Sequence, residues 1–315
     1  MISKSLPNSM TDKYTPLIYP IYPARSRRLQ IPTLLFMIAG STGAVAHQDD
    51  TREMDADEKM AETNGASDPP PHSELTRFFT PYKDNYLIFG QMRMDDGSLP
   101  FSGEELDTKF ELGMTFSLFA NSQAFEFLDP LRFGYSQRSW WNIAADSAPF
   151  TEHNYNPEVF WRFEQPERPV FGNPPFVDII GLEHQSNGLS GAESRSWDRV
   201  YVQKSVQLLP RLSVNLKLWS ILNTESTNED IRDYLGSGML DINFHPNDRT
   251  VIRVRAIRGS NSSKISYQAD VRYHRPWLNS AFFISYYDGY GEALVNYNKK
   301  SQSLRAGLYF PLENL

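Results

Sequence analysis

Lys109-Phe-Glu-Leu-Gly-Met-Thr-Phe-Ser-Leu118 places an apolar side chain at every second position. Phe110, Leu112, Met114, Phe116 and Leu118 alternate with Lys109, Glu111, Gly113, Thr115 and Ser117. Successive side chains of a strand point to opposite faces, so this stretch reads as a strand with one apolar and one polar face. The same period returns at Leu212, Val214, Leu216 and Leu218, at Ile265, Tyr267, Ala269, Val271 and Tyr273, and at Leu304, Ala306, Leu308 and Phe310. From Asp84 onward, alternating segments between turn signals number about twelve, an even count of the kind bacterial single-chain barrels prefer.

The polar faces carry full charges: Arg253, Arg255, Asp270, Arg272 and Arg305. A soluble sandwich turns such a face to water, whereas a membrane barrel turns it into the lumen. Periodicity alone does not choose between them. Three features favour the barrel: a signal peptide, segments roughly ten residues long, and aromatics gathered near segment ends as an interfacial girdle requires. Those aromatics are Trp140-Trp141, Tyr286-Tyr287, Tyr297 and Tyr309-Phe310. The expected fold is all-β, a single transmembrane antiparallel β-barrel of about twelve strands.

The signal peptide is read in Arg25-Ser-Arg-Arg28, the apolar run Leu29–Gly40 and the small-x-small site Ala44-Val45-Ala46. Positive charge, a short apolar run and small residues at a cleavage site are its three parts. Residues 1–46 are assigned to it; the stretch before Arg25 is long for such a leader, which leaves open a start at Met10 or later. Residues 47–77 are expected to be a flexible acidic segment holding Pro69-Pro70-Pro71, and residues 78–315 the barrel. No stretch of the barrel region holds about 18 consecutive apolar residues, so no transmembrane helix is expected.

The 315-residue chain has a formal charge of −7, and removing residues 1–46 leaves 26 basic against 37 acidic residues. That balance opposes nucleic-acid binding, which needs Lys and Arg in excess. There is no cysteine, which excludes a thiol nucleophile, thiolate metal sites and a disulfide framework.

Gly181-Leu-Glu-His-Gln-Ser-Asn-Gly188 ends one strand, and Ser194-Arg-Ser-Trp-Asp-Arg-Val200 opens the next. His184 and Ser186 share a face with Ile180 and Leu182, and Asp198 with Val200 and Val202. Both faces carry branched aliphatics, so both are expected to meet lipid. A hairpin of the two strands sets Asp198 across from His184. Hydroxyl, imidazole and carboxylate then form a nucleophile–base–orienter set. On a lipid-facing wall such groups are costly unless they satisfy one another. A His-x-Ser pair also arises by chance at polar strand ends, so the local pattern alone leaves catalysis open.

These residues are similar to the signature of the outer-membrane phospholipase A family, His-x-Ser-Asn-Gly followed by Ser-Arg-Ser-Trp-[Asn/Asp]-Arg. Further similar blocks are Asn85-Tyr-Leu-Ile88, Tyr135-Ser-Gln-Arg-Ser-Trp-Trp141, Ser147-Ala-Pro-Phe150, Asn154-Tyr155, Gly289-Tyr-Gly-Glu292 and Tyr297-Asn298. The resemblance spans about Leu75 to Phe310. It implies a twelve-stranded barrel that hydrolyses either acyl ester of phospholipids, and lysophospholipids, in the outer membrane. By resemblance Ser186 is the nucleophile, His184 the base and Asp198 the orienter, where the best-known relatives carry asparagine. The resemblance also implies calcium and an active homodimer. Its calcium ligands carry over to the carbonyl of Leu189, the hydroxyl of Ser194 and, from a second copy, the carbonyl of Ser147. With so few protein ligands, water completes the site. A calcium-polarised water and the Gly188 N–H then hold the oxyanion. Gln137 is expected to support Asp198 from beneath, Trp141 to pack, and His245 and His274 to be plain lumen or turn residues. The rival readings are a passive outer-membrane barrel with a decayed site and a soluble periplasmic sandwich.

Overall fold

Each alternating segment becomes one strand, and the strands pair in chain order. The computed structural model describes residues 79–98, 100, 103, 106–119, 123–163, 176–275 and 277–311. The expected leader and acidic segment lie outside the described residues. The strands are β1 (Phe79–Pro81), β2 (Tyr86–Met94), β3 (Leu106–Ser117), β4 (Leu131–Trp141), β5 (Phe150–Arg162), β6 (Ile179–Ser186) and β7 (Ser196–Leu209). They continue as β8 (Leu212–Thr224), β9 (Gly238–Asn247), β10 (Thr250–Arg258), β11 (Ile265–His274), β12 (Ala281–Tyr290) and β13 (Lys300–Tyr309), with a one-turn helix α1 (Ile231–Leu235) between β8 and β9. From β2 to β13 every neighbour is antiparallel, and β13 pairs back onto β2 with Leu304 opposite Gln91. Twelve strands therefore close into a barrel in which each of β2 to β13 has a neighbour on both sides.

The short β1 lies on β3 beyond the end of β2, with Pro81 opposite Met114. Between them, Asn85 imitates a strand: its side-chain oxygen accepts from Gly113 N–H (2.9 Å) and its amide donates to the Gly113 carbonyl (3.2 Å). The chain passes so close that a Cβ on Gly113 would lie 1.9 Å from the Tyr82 carbonyl oxygen, so only glycine fits.

Outward residues are apolar and exposed: Phe89, Leu112, Leu182, Leu216, Ile242, Ile284 and Leu304 all face away from the barrel. Inward residues are charged, buried and matched. Glu183 meets Lys83 (3.0 Å), Arg199 (3.0 Å) and Lys217 (2.7 Å). Arg253 bridges Asp84 and Asp270, and Arg305 bridges Asp107 and Glu292. A lumen crossed by such networks is filled by side chains rather than left as a wide aqueous channel. No helix among the described residues is long and apolar enough to cross a membrane.

The expected aromatic girdle is only half present, because adjacent strand residues point to opposite faces. Trp140 is fully buried on the lumen side, with Lys109 over its ring, while Trp141 faces outward. Tyr287 is buried and Tyr286 exposed; Tyr297 is buried in the loop after β12.

Glu292, in that same loop, accepts hydrogen bonds from Lys109 (3.0 Å) and Ser303 (3.0 Å) as well as from Arg305. Burial alone would raise its carboxyl; the Arg305 and Lys109 charges outweigh that and hold it down to about 2. A depressed carboxylate contributes stability that is full above its unfolded range and lost as pH falls toward 2. Glu292→Gln is expected to cost roughly 3 kcal/mol at pH 7 by leaving buried cations short of a partner. Thermal unfolding in detergent checks this, and the gap to the wild type should narrow between pH 4 and pH 2.

Candidate functional site on the outer wall

The β6–β7 hairpin pairs Ile180 with Val202, Leu182 with Val200, His184 with Asp198 and Ser186 with Ser196. Glu183, Gln185, Trp197 and Arg199 of the same strands are buried on the lumen side. His184 and Asp198 stand on the outer wall, with side chains 42% and 41% exposed. His184 Nδ1 lies 2.7 Å from Asp198 Oδ1. An ionised carboxylate only accepts, so with Asp198 ionised Nδ1 is the donor and Nε2 can act as an acceptor.

Ser186 follows His184 on the same face, half-buried, and the structure records no hydrogen bond between its hydroxyl and the imidazole. Such contacts commonly tighten only when substrate is bound. The Asn223 amide approaches the other oxygen of Asp198 from β8, at 3.5 Å.

The backbone at His184 is held in an unusual way. The β5–β6 ladder runs from Arg162↔Ile179 to Glu158↔Glu183, then resumes only at Tyr155↔Ser186. The gap falls at Asn156 and Pro157, and proline has no N–H to donate. The Asn156 side chain replaces that donor, giving 2.7 Å to the His184 carbonyl, and is itself bonded by Lys83 at 2.6 Å.

The turn after Ser186 is clamped by two buried asparagines. Asn187 accepts from Arg195 N–H (2.9 Å) and donates to the Glu193 carbonyl (2.8 Å). Asn228, from the β8–β9 loop, accepts from Ser196 N–H (3.2 Å) and donates to the Ser196 carbonyl (3.0 Å). Thr227 donates to the Ser194 carbonyl. Sequence reading missed Asn156, Asn187, Asn223 and Asn228. Only Asn187 carried a local signal, as the first residue of an Asn-Gly turn.

Gly188 has φ +69°, and a Cβ there would lie 2.7 Å from the Tyr155 ring. Leu189 is exposed in the turn. Neither its carbonyl nor the Ser194 hydroxyl takes part in a hydrogen bond among the described residues. Both oxygens are therefore available to a hard cation. Among the described residues no three acidic or histidine side chains gather to hold a metal. Ser147 lies elsewhere, in the β4–β5 turn, where it and Ala148 have φ of 62° and 39°. Consecutive positive φ at non-glycine residues is rare and marks a strained turn. Trp141 braces this turn by donating to the Ala148 carbonyl (2.7 Å) and stacking on Phe150.

Gln137 does not support Asp198. It pairs with Tyr155 on β5, which pairs with Ser186, so it stands on the side of Ser186 away from Asp198. The expectation failed because β5 intervenes between β4 and β6. Gln137 instead accepts from Tyr135 (2.9 Å) and donates to Ser139 (3.0 Å), whose hydroxyl meets His153 at 2.8 Å. His245 and His274 lie at strand ends, where their N–H groups bond Arg211 and Arg249 carbonyls of neighbouring turns.

The profile of the family described as phospholipase A1 matches residues 69–310. The chain is 30% identical over 225 residues to a putative phospholipase A1 of Neisseria meningitidis serogroup B, spanning 66% of this chain and 56% of that one. It is 29% identical over 248 residues to phospholipase A1 of Escherichia coli K12, spanning 72% and 80%. Among solved structures it is similar to outer membrane phospholipase A from Escherichia coli, in an active-site mutant form. There the TM-score is 0.64 and the identity 26%, over 77% of this chain and 93% of that one. It is similar also to the Salmonella typhi outer membrane phospholipase, a dimer with bound calcium, at TM-score 0.63 and 26% identity over 74% and 92%.

Proposed function

The chain belongs to the phospholipase A1 family and hydrolyses phospholipid in the outer membrane, and from that premise we propose that Ser186, His184 and Asp198 carry the reaction. The supporting observation is the 2.7 Å His184–Asp198 contact on the outer wall, with Ser186 next on the same face. Phospholipid surrounds that wall, so substrate reaches the site laterally from the bilayer.

In this reading Ser186 Oγ attacks the ester carbonyl while His184 Nε2 takes its proton. Asp198 holds the Nδ1–H tautomer and stabilises the imidazolium. Collapse of the tetrahedral intermediate breaks the ester C–O bond. The imidazolium returns the proton to the departing lysophospholipid oxygen, leaving an acyl group on Ser186. Water, deprotonated by His184, then releases the fatty acid. By family resemblance either acyl ester, and that of a lysophospholipid, is cut.

The Gly188 N–H is proposed as an oxyanion donor, its direction set by the left-handed turn. Calcium, held by the Leu189 carbonyl, the Ser194 hydroxyl and the Ser147 carbonyl of a second copy, would supply positive charge beside that donor. The strained turn at Ser147 supports a role for its carbonyl. A homodimer fits the outer wall of β4 and β5, where Tyr135, Gln137 and His153 form a half-buried polar patch, bonded to the buried Ser139 hydroxyl, on a lipid-facing surface. Such groups are costly against lipid and are relieved when a second copy covers them.

Fatty-acid release from phospholipid in detergent, with calcium or with a chelator, tests this reading. The chelator should lower the rate at least tenfold, on the scale of weakening one oxyanion contact. Cross-linking should trap a dimer under active conditions. A chelator-insensitive rate removes calcium from the reaction, and full activity in a monomer removes the partner. The passive-barrel reading gains nothing from a lumen crossed by matched charges.

A further inference from the structure

Strand β8 carries an irregularity beside the site. Asp198 pairs with Asn223 and Arg199 with Ile221, so Leu222 is an extra residue. Before it the strand alternates: Lys217 and Trp219 are buried toward the lumen, Leu216, Leu218 and Ser220 exposed. Without the bulge Asn223 would follow Lys217, Trp219 and Ile221 inward. With it, Leu222 and Asn223 both face out, which is the re-aiming a β-bulge performs. Asn223 thereby stands directly across from Asp198, on the side away from His184, with Nδ2 3.5 Å from Oδ2.

We propose that Asn223 is a positioning residue of the hydrolytic site, brought onto the outer wall by the Leu222 bulge to hold Asp198 Oδ2. This rests on the reading of Ser186, His184 and Asp198 as the reacting set. Asp198 has two oxygens, and His184 takes only one. On a wall that meets lipid, the second needs a donor or its charge is unbalanced. An amide supplies that donor without adding charge. It also fixes the carboxylate rotamer, and through it the imidazole.

A donor on Oδ2 withdraws negative charge from the carboxylate. Removing it leaves more charge on Oδ1, which favours the protonated imidazole. The base must be neutral to act, so the acid limb of the rate profile moves to higher pH. Asn223→Asp adds a second negative charge and moves it further. Other charged or titratable groups on adjoining elements are His153 and Tyr155 of β5, Glu193 and Arg195 of the turn, and Glu225 after β8. None is recorded bonding His184 or Asp198, and all are constant across the variants.

The experiment measures kcat and KM against pH for the full chain in detergent with calcium. The variants are Asn223→Leu, Asn223→Asp, Asp198→Ala and Asp198→Ala/Asn223→Leu, with circular dichroism melts as the folding control. Asn223→Leu should lower kcat about threefold to tenfold, with KM little changed, the size expected for one exposed bond to a charged group. Its acid limb should rise, that of Asn223→Asp should rise more, and Asn223→Leu should add nothing once Asp198 is alanine. An unmoved acid limb, or a loss that multiplies with that of Asp198→Ala, overturns the proposal. Full activity in Asp198→Ala alone instead overturns the reacting set itself, and this inference with it.

Discussion

Ser186→Ala should lower phospholipid hydrolysis by roughly a thousandfold or more, the scale on which serine hydrolases respond to loss of the nucleophile. The substitution is gentle on the fold. Ser186 is half-buried at the end of β6, and its hydroxyl makes no recorded hydrogen bond. Alanine occupies less space on the same face and leaves no partner unsatisfied, so stability should change by about 0.5 kcal/mol or less. Binding energy from the acyl chains is untouched, so the loss should fall on kcat rather than KM. Residual activity within tenfold of the wild type would mean that another group attacks the ester. The triad reading would then fail while the barrel and the family stood.

One amino-acid sequence carries local features and leaves non-local ones unread. Alternation gives the strands, because a strand's period of two is local. It also gave the face on which His184, Ser186 and Asp198 stand, since Ile180, Leu182, Val200 and Val202 fix the phase on each side. Three kinds of information were not local. Residues meeting across many strands or loops left no spacing to read: Asn228 reaches Ser196 from the β8–β9 loop. Gln137 was misplaced because strand order, not sequence motif, decides its neighbours. A bulge shifts phase by one residue, so alternation alone would have sent Asn223 into the lumen. Adjacent aromatics misled for a related reason: Trp140 and Trp141 look like one girdle pair, but the pleat divides them.

Pro157 is the instructive case between these kinds. A proline late in a strand is visible in sequence and marks a missing N–H. What the sequence could not say is that the missing bond falls opposite His184, or that Asn156 restores it from the lumen side at 2.7 Å. The lumen charges thus reach the outer wall through one side chain: Lys83 bonds Asn156, and Asn156 bonds the His184 carbonyl. Filling the barrel with matched charges does more than close a channel. It fixes the backbone from which His184 projects.

Gly188→Ala is expected to lower kcat by about a hundredfold, near the lower end of what loss of an oxyanion donor costs. Two effects combine. Gly188 sits at φ +69°, where a Cβ costs roughly 1 kcal/mol. The new methyl would also lie 2.7 Å from the Tyr155 ring. That ring is poorly placed to yield, because Tyr155 pairs with Ser186 and stacks on His153. The turn must rotate instead, and its N–H turns away from the carbonyl oxygen that Ser186 would attack. Gly191→Ala separates the two effects. Its φ is +67°, yet no atom lies within 4 Å of an added Cβ, so it carries the backbone cost without the displacement. Its kcat should fall far less, and its Tm should fall by the backbone cost alone. Equal losses of kcat in the two variants would assign the effect to turn stability and leave the Gly188 N–H without a part in holding the oxyanion.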